Sequence, residues 1–209
     1  MRQTNVLKLS SFAKFMTISV ALFAITSARA QKFNVNVHAG FDHATLRFSN
    51  ASGGIIHYKT ELTGGVGADA QLSNLVSIGL EGNFSQQGVS VIQTDGTNVT
   101  SIGIDYITVP LLLKLQAARG LSFYGGPQIG FLMAARQQNL NSPSQDAKDL
   151  LEKTDYYAVL GASYKFGSGV FTDVRFHQGF EGVAKDNTIG SLKNQYFSFR
   201  IGYSFDLSK

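Results

Sequence analysis

The sequence predicts an all-β chain, an eight-stranded antiparallel up-and-down transmembrane β-barrel after a cleaved signal peptide. Three observations predict it. The first thirty residues read as an export signal. About eight later segments alternate apolar and polar residues. The connections between them alternate in length.

The export signal comes first. Arg2, Lys8 and Lys14 make a basic start, Phe15 to Ala28 is an apolar run without charge, and Ala28-Arg29-Ala30 is an A-x-A cleavage pattern. The run is too short for a spanning helix and fits a secretory signal. The mature chain is expected to begin at Gln31, with residues 31–209 as one domain. The full chain carries 18 Lys and Arg against 14 Asp and Glu, a net +4. Residues 1–30 hold four of the bases and no acid, so the mature chain has 14 of each and is neutral. The basic pI therefore belongs to the export signal and gives no evidence for nucleic-acid binding. The chain has no cysteine, which excludes disulfides, thiol catalysis and a lipidated cysteine after the cleavage site. Low charge, 22 glycines and scattered aromatics fit closely packed strands.

The strands follow in order, read from the period-two alternation of strand side chains. The first starts at Phe33 and runs to about 47, with Phe33, Val35, Val37, Ala39 and Phe41 outward and Asn34, Asn36, His38, Gly40 and Asp42 inward. The second, about 58–72, puts Leu62, Val66, Ala68 and Ala70 outward and Glu61, Thr63, Asp69 and Gln71 inward. The third, about 75–91, puts Val76, Ile78, Leu80 and Phe84 outward and Ser77, Glu81, Asn83 and Ser85 inward. The fourth, about 99–116, puts Ile107, Val109, Leu111, Leu113 and Leu115 outward and Tyr106, Thr108 and Lys114 inward. The fifth, from 121 to about 134, is rich in glycine and its faces are less distinct. The sixth, about 155–166, puts Tyr156, Ala158, Leu160, Ala162, Tyr164 and Phe166 outward and Val159, Gly161, Ser163 and Lys165 inward. The seventh, about 170–180, puts Val170, Val174 and Phe176 outward and Asp173, Arg175 and His177 inward. The eighth, 195–207, puts Phe197, Phe199, Ile201, Tyr203, Phe205 and Leu207 outward and Tyr196, Ser198, Arg200, Gly202, Ser204 and Asp206 inward. It is expected to close the barrel against Val35, Val37 and Ala39.

Tight turns are expected at 73–74, 117–120 and 167–169, and longer polar loops near 49–57, 92–98, 135–154 and 181–194. Short and long connections alternating along an even number of strands are the pattern of an outer-membrane barrel, with termini and short turns periplasmic. Within the longest loop Ser144 could cap one short helix, and a disordered loop is the alternative. Pro110 and Pro127 flank the 117–120 turn. A two-residue turn would set them opposite each other. A left-handed Gly120 would shift the register by one, and a local bulge is expected in either case.

A soluble sandwich would spread charge over a water-facing sheet. Here the outward face is nearly free of charge at mid-strand, as expected when a charge facing lipid at the midplane costs about 2–4 kcal/mol. The sheet must then close, because an open edge cannot sit in lipid. An eight-stranded interior is just filled by side chains. The inward polar network is expected to comprise His38, Asp69, Glu81, Lys114, Lys165, Asp173, Arg175, Arg200 and Asp206, a plug rather than a wide pore. Val109, Leu111, Leu113, Phe197, Phe199, Ile201, Tyr203 and Phe205 are expected to face lipid.

Four stretches carry a family resemblance: 33–40 (FNVNVHAG), 105–114 (DYITVPLLLK), 124–130 (YGGPQIG) and 199–205 (FRIGYSF). On these the chain resembles the porin-family outer-membrane β-barrel domain, the group that includes PorT-like proteins. The resemblance spans residues 31–209. It implies an eight-stranded barrel in a Gram-negative outer membrane and no particular substrate. The chain departs from many outer-membrane strands at its end, where Asp206-Leu207-Ser208-Lys209 follows Phe205.

A lipid hydrolase would need a serine beside a histidine oriented by a carboxylate. His177, with Glu181 nearby and Ser163 or Ser198 approaching through the fold, is the nearest candidate. The plainer expectation is a rim histidine in a polar network, and no catalytic residue is expected. The four histidines (His38, His43, His57, His177) show no metal-ligand spacing, and His38 and His43 fall on opposite strand faces. Asp95-Gly96-Thr97-Asn98 reads as a turn rather than a calcium loop. No metal or cofactor is expected. The expected partners are outer-membrane lipid and, during biogenesis, the barrel-insertion machinery, with no nucleic acid and a monomeric state. The leading functional expectation is a non-enzymatic barrel, structural or surface-binding through its long loops. A small-solute channel, a lipid-A-modifying enzyme and a PorT-like accessory of secretion are the alternatives.

Overall fold

The computed structural model describes residues 32–48, 54–93, 99–139, 144–180 and 192–207. Nine strands form: β1 (Phe33–Phe48), β2 (Gly54–Gln71), β3 (Val76–Gln93), β4 (Val99–Gln116), β5 (Leu121–Asn139), the two-residue β6 (Gln145–Asp146), β7 (Thr154–Lys165), β8 (Val170–Gly179) and β9 (Leu192–Asp206). Eight long strands pair antiparallel in chain order. The β1–β9 ladder closes the ring, with Val35 opposite Phe205, Val37 opposite Tyr203 and Ala39 opposite Ile201. The expected signal peptide, with its cleavage site before Gln31, lies outside the described residues.

Three tight turns sit at one end of the barrel. Ser73 Oγ accepts from Val76 N–H (3.1 Å) in the first. In the second, Leu121 N–H donates to Ala118 O (3.1 Å), and Gly120 holds φ +83, a left-handed place that suits glycine. Pro110 therefore pairs with Gln128 rather than Pro127, the one-residue shift that a left-handed Gly120 imposes. The register continues unchanged past both prolines. It shifts farther along, between Asp105 and Tyr106, where Met133 is the extra residue on β5.

At the opposite end the strands outrun the sequence-based boundaries. β5 reaches Asn139 instead of ending near 134, β2 begins at Gly54, β3 ends at Gln93 and β9 begins at Leu192. The extra pairs mix apolar ones, such as Ile55 with Ile92 and Phe48 with Leu192, with polar and glycine ones, and pairing to neighbours holds them extended. The helix expected after Ser144 is instead a three-residue 3₁₀ turn, Lys148–Leu150. Ala147 occupies its N-cap position, and the Asp146 side chain rather than that of Ser144 accepts from Lys148 N–H (2.9 Å).

The outward face is a band of fixed height. On seven strands it is apolar for nine residues: 33–41, 62–70, 76–84, 107–115, 123–131, 156–164 and 197–205. Its side chains are open to the surroundings; Leu62 is 60% and Leu160 65% exposed. Nine residues at about 3.3 Å on strands tilted roughly 40° rise about 23 Å, close to the ~25 Å apolar band of transmembrane barrels. Toward the long-loop end the next outward residues are polar on seven strands, His43, Thr60, Gln86, Asp105, Thr154, Gln178 and Gln195, while on β5 the exposed Met133 comes before Arg136. His43 Nδ1 bonds Thr60 Oγ1 (2.9 Å), and Arg136 lies 3.5 Å from Asp105 within this ring. Beyond it β1 to β4 continue for five to seven residues, while β7 and β8 stop almost at once.

Candidate functional site: the filled interior

Large inward side chains are accommodated because glycines stand beside them. A Cβ at Gly161 would come within 2.4 Å of Tyr124 Oη, one at Gly67 within 2.8 Å of Glu81 Cγ, and one at Gly79 within 2.4 Å of Asp69 Oδ1. Glycine is therefore what lets charged groups from opposite walls meet on the axis.

They meet in a layer of arginines and carboxylates. Arg175 on β8 grips Glu81 on β3 with both terminal nitrogens (2.7 and 2.8 Å), while its Nε donates to Tyr124 Oη (2.8 Å) and Asp173 Oδ1 (3.0 Å). Arg200 donates to Asp173 through Nε (2.9 Å) and Nη2 (2.7 Å), and through Nη1 to Glu81 (3.3 Å) and His38 Nε2 (2.9 Å). His38 Nε2 also lies 2.8 Å from Asn83 Oδ1, and its Nδ1 lies 3.2 Å from Asn36 Oδ1. Tyr124 donates its hydroxyl proton to Asp173. Lys114 pairs with Asp69 (2.6 Å) and reaches Glu81 (3.8 Å). Three positive and three negative side chains thus balance, and the bidentate Arg–carboxylate geometry is the strong form of such a contact. Arg175, Asp173 and Glu81 are almost wholly buried.

Of the nine residues expected in the polar network, seven join here. Lys165 does not; its Nζ donates to Ser204 Oγ (3.0 Å) at the open rim of a cavity of about 730 Å³ on the tight-turn side. Asp206 lines the same cavity. Tyr124, Asn36 and Asn83 belong to the network without having been expected in it. Tyr124 was hidden because the glycines of β5 blur its alternation. The expected lipid-facing side chains all lie on the outward face, with Leu111, Leu113, Phe197, Phe199, Ile201, Tyr203 and Phe205 exposed and Val109 half-buried.

A second layer lies toward the long loops. Asp42, fully buried, accepts from Ser85 Oγ (2.5 Å) and Ser198 Oγ (2.6 Å). Ser198 Oγ is 3.1 Å from His177 Nε2, and His177 Nδ1 is 3.1 Å from Gln128 Oε1. His177 is not at the rim. It is 4% exposed and stacks on Tyr196 at 4.0 Å between ring centres. Ser198 thus approaches His177 through the fold, with its Oγ set between Asp42 and His177. Glu181, Asp95 and Asn98 lie outside the described residues. Among the described residues no cluster of three His, Asp or Glu is placed to hold a metal ion.

Above this layer Ile104 and Tyr106 of β4 and Leu132 and Ala135 of β5 form a buried cluster with Ala147, and Leu151 packs on it. Ala147 N–H donates to Ala135 O (3.0 Å) and Lys148 Nζ to Met133 O (2.8 Å), so the 144–151 segment is bonded to β5.

A closed sheet, an apolar outer band one membrane tall and a charge-balanced core define a transmembrane β-barrel with a filled interior. The family model described as outer membrane protein beta-barrel domain matches residues 27–185, and the chain belongs to that family. Membership places it in the outer membrane. None of the curated proteins matches the chain in sequence. Among solved structures it is similar to Neisserial surface protein A, NspA, at 13% identity and TM-score 0.53, covering 85% of this chain and 100% of that one. It is also similar to Ail, the attachment invasion locus protein of Yersinia pestis, at 12% identity and TM-score 0.50, covering 82% and 98%. At such identities these likenesses speak for the fold.

Proposed function

We propose that this chain is a non-enzymatic outer-membrane barrel that presents a binding surface outside the cell, with its termini and tight turns periplasmic. The carrying observation is the unequal height of its strands. β1 to β4 run five to seven residues past the polar ring and raise a hydrogen-bonded wall above the membrane, while β7 and β8 end near it. A barrel needs no such wall to anchor itself. Beneath the wall the Arg175–Glu81 layer fills the bore, which supports a surface role over a solute channel. Bilayer lipid and the insertion machinery are its proposed standing partners, nucleic acid is not one, and the barrel is read as monomeric. The narrower kinship to PorT-like barrels rests on DYITVPLLLK and YGGPQIG and would make the wall a docking face for secretion components.

The test is binding by whole cells displaying the protein. Replacing residues 141–152 with a short turn should abolish adherence to a surface ligand that the intact protein binds, while leaving barrel assembly unchanged. Equal adherence of both forms to every ligand tried, or lipid-A deacylation lost on His177→Ala, would oppose this reading.

A further inference from the structure

Asp42 presents an electrostatic problem that the arginine layer does not solve. That layer already balances three positive against three negative groups. No Lys or Arg among the described residues lies within 4.0 Å of the Asp42 carboxylate. A fully buried, uncompensated carboxylate is strongly unfavourable. The nearest group in the bonded chain able to carry the matching proton is His177, reached through a single hydroxyl.

Hydrogen-bond polarity then fixes how many protons the chain holds. Ser198 Oγ has one proton and two bonded neighbours, Asp42 Oδ1 at 2.6 Å and His177 Nε2 at 3.1 Å. His177 Nδ1 faces the carbonyl oxygen of Gln128, so it carries a proton. Two assignments satisfy every bond. In the first, His177 is protonated on both nitrogens and Asp42 is a carboxylate. Nε2–H donates to Ser198, and Ser198 O–H donates to Asp42. In the second, Asp42 is a carboxylic acid donating to Ser198, and Ser198 donates to the bare Nε2 of a neutral imidazole. To pass from the first to the second, the Ser198 O–H bond breaks as an O–H bond forms on Asp42. The Nε2–H bond breaks as a new O–H bond forms on Ser198. No heavy atom moves, and the unit stays neutral.

We propose that Asp42, Ser198 and His177 share one mobile proton, a relay that joins β1, β9 and β8 inside the barrel. Its frame is rigid. Ser85 holds the other Asp42 oxygen at 2.5 Å, Tyr196 stacks on the imidazole, and Gln128 Nε2 donates to Tyr196 Oη at 2.9 Å. Arg175, Arg200 and Glu81 face His177 from the neighbouring layer, and Arg200 also faces Asp42.

Nitrogen NMR of the folded barrel, labelled with ¹⁵N-histidine, tests this. Only four histidines contribute, and His177→Gln assigns the fourth signal. The expected result is a His177 with Nδ1 protonated and with an Nε2 shift displaced toward the protonated value. Asp42→Asn and Ser198→Ala should each return Nε2 to the shift of a bare nitrogen, leaving the other three histidines unchanged. Ser198→Thr, which keeps the hydroxyl, should preserve the parent spectrum. If Asp42→Asn does not fold, the Ser198→Ala and Ser198→Thr pair reads the same relay. A His177 spectrum indifferent to Ser198→Ala, or a bare Nδ1 in the parent protein, would overturn the proposal.

Discussion

Arg175 and Glu81 come from strands 94 residues apart in sequence and meet on the barrel axis through two parallel bonds of 2.7 and 2.8 Å. Each leans on further partners, so the pair is the centre of the charge layer rather than an isolated bridge. Replacing one member leaves the other buried and uncompensated, at a cost of about 3–5 kcal/mol. Glu81→Ala should therefore lower the unfolding free energy in urea, measured on the detergent-folded barrel, by that amount. Adding Arg175→Met should cost much less than the sum of the two single changes, since the stranded charge is then gone.

Gly161 gives a steric prediction. A methyl group there meets the Tyr124 hydroxyl, which is fixed by Arg175 and Asp173. Gly161→Ala should cost about 1–3 kcal/mol as overpacking. Gly82, on the outward face, has nothing within 4 Å of an added Cβ. Gly82→Ala should stay within roughly 0.5 kcal/mol of the parent in the same titration.

The outer band predicts a depth dependence. Leu111 is at the centre of the β4 stretch 107–115, and Phe197 is at the polar-ring end of the β9 stretch 197–205. Leu111→Arg should destabilise the lipid-embedded barrel by about 2–4 kcal/mol, and Phe197→Arg by about 0–1 kcal/mol. Reversible unfolding from bilayers reads the difference, and equal costs would mean the band is misplaced.

The ring of polar outward residues marks the loop-side boundary. The chain has no cysteine, so single cysteines report cleanly. A membrane-impermeant maleimide added to intact cells should label Gln86→Cys and leave Phe84→Cys unlabelled. Labelling of neither on intact cells, with Gln86→Cys reacting only after lysis, would reverse the proposed orientation.

The eight strands and their faces were legible because alternation is imposed twice over, by lipid outside and by packed polar groups inside. Phe197, Phe199 and Ile201 against Ser198 and Arg200 show both constraints in one stretch. What escaped was set by neighbours rather than by local pattern. Tyr124 joins the core only because Gly161 stands across from it, and the upward extension of β5 depends on pairing with β4. The link of His177 to Ser198 and Asp42 brings together three strands that sequence spacing does not relate. Ser144 looked like a cap because of its residue type, but the turn that formed begins three residues later and is held by Asp146.

Single-channel recording from the purified barrel in planar bilayers tests most directly whether the interior is filled. The charge layer of Arg175, Arg200, Glu81 and Asp173 predicts a quiet membrane, without large, steady, ohmic openings. Sustained openings whose conductance scales linearly with salt would contradict a filled bore.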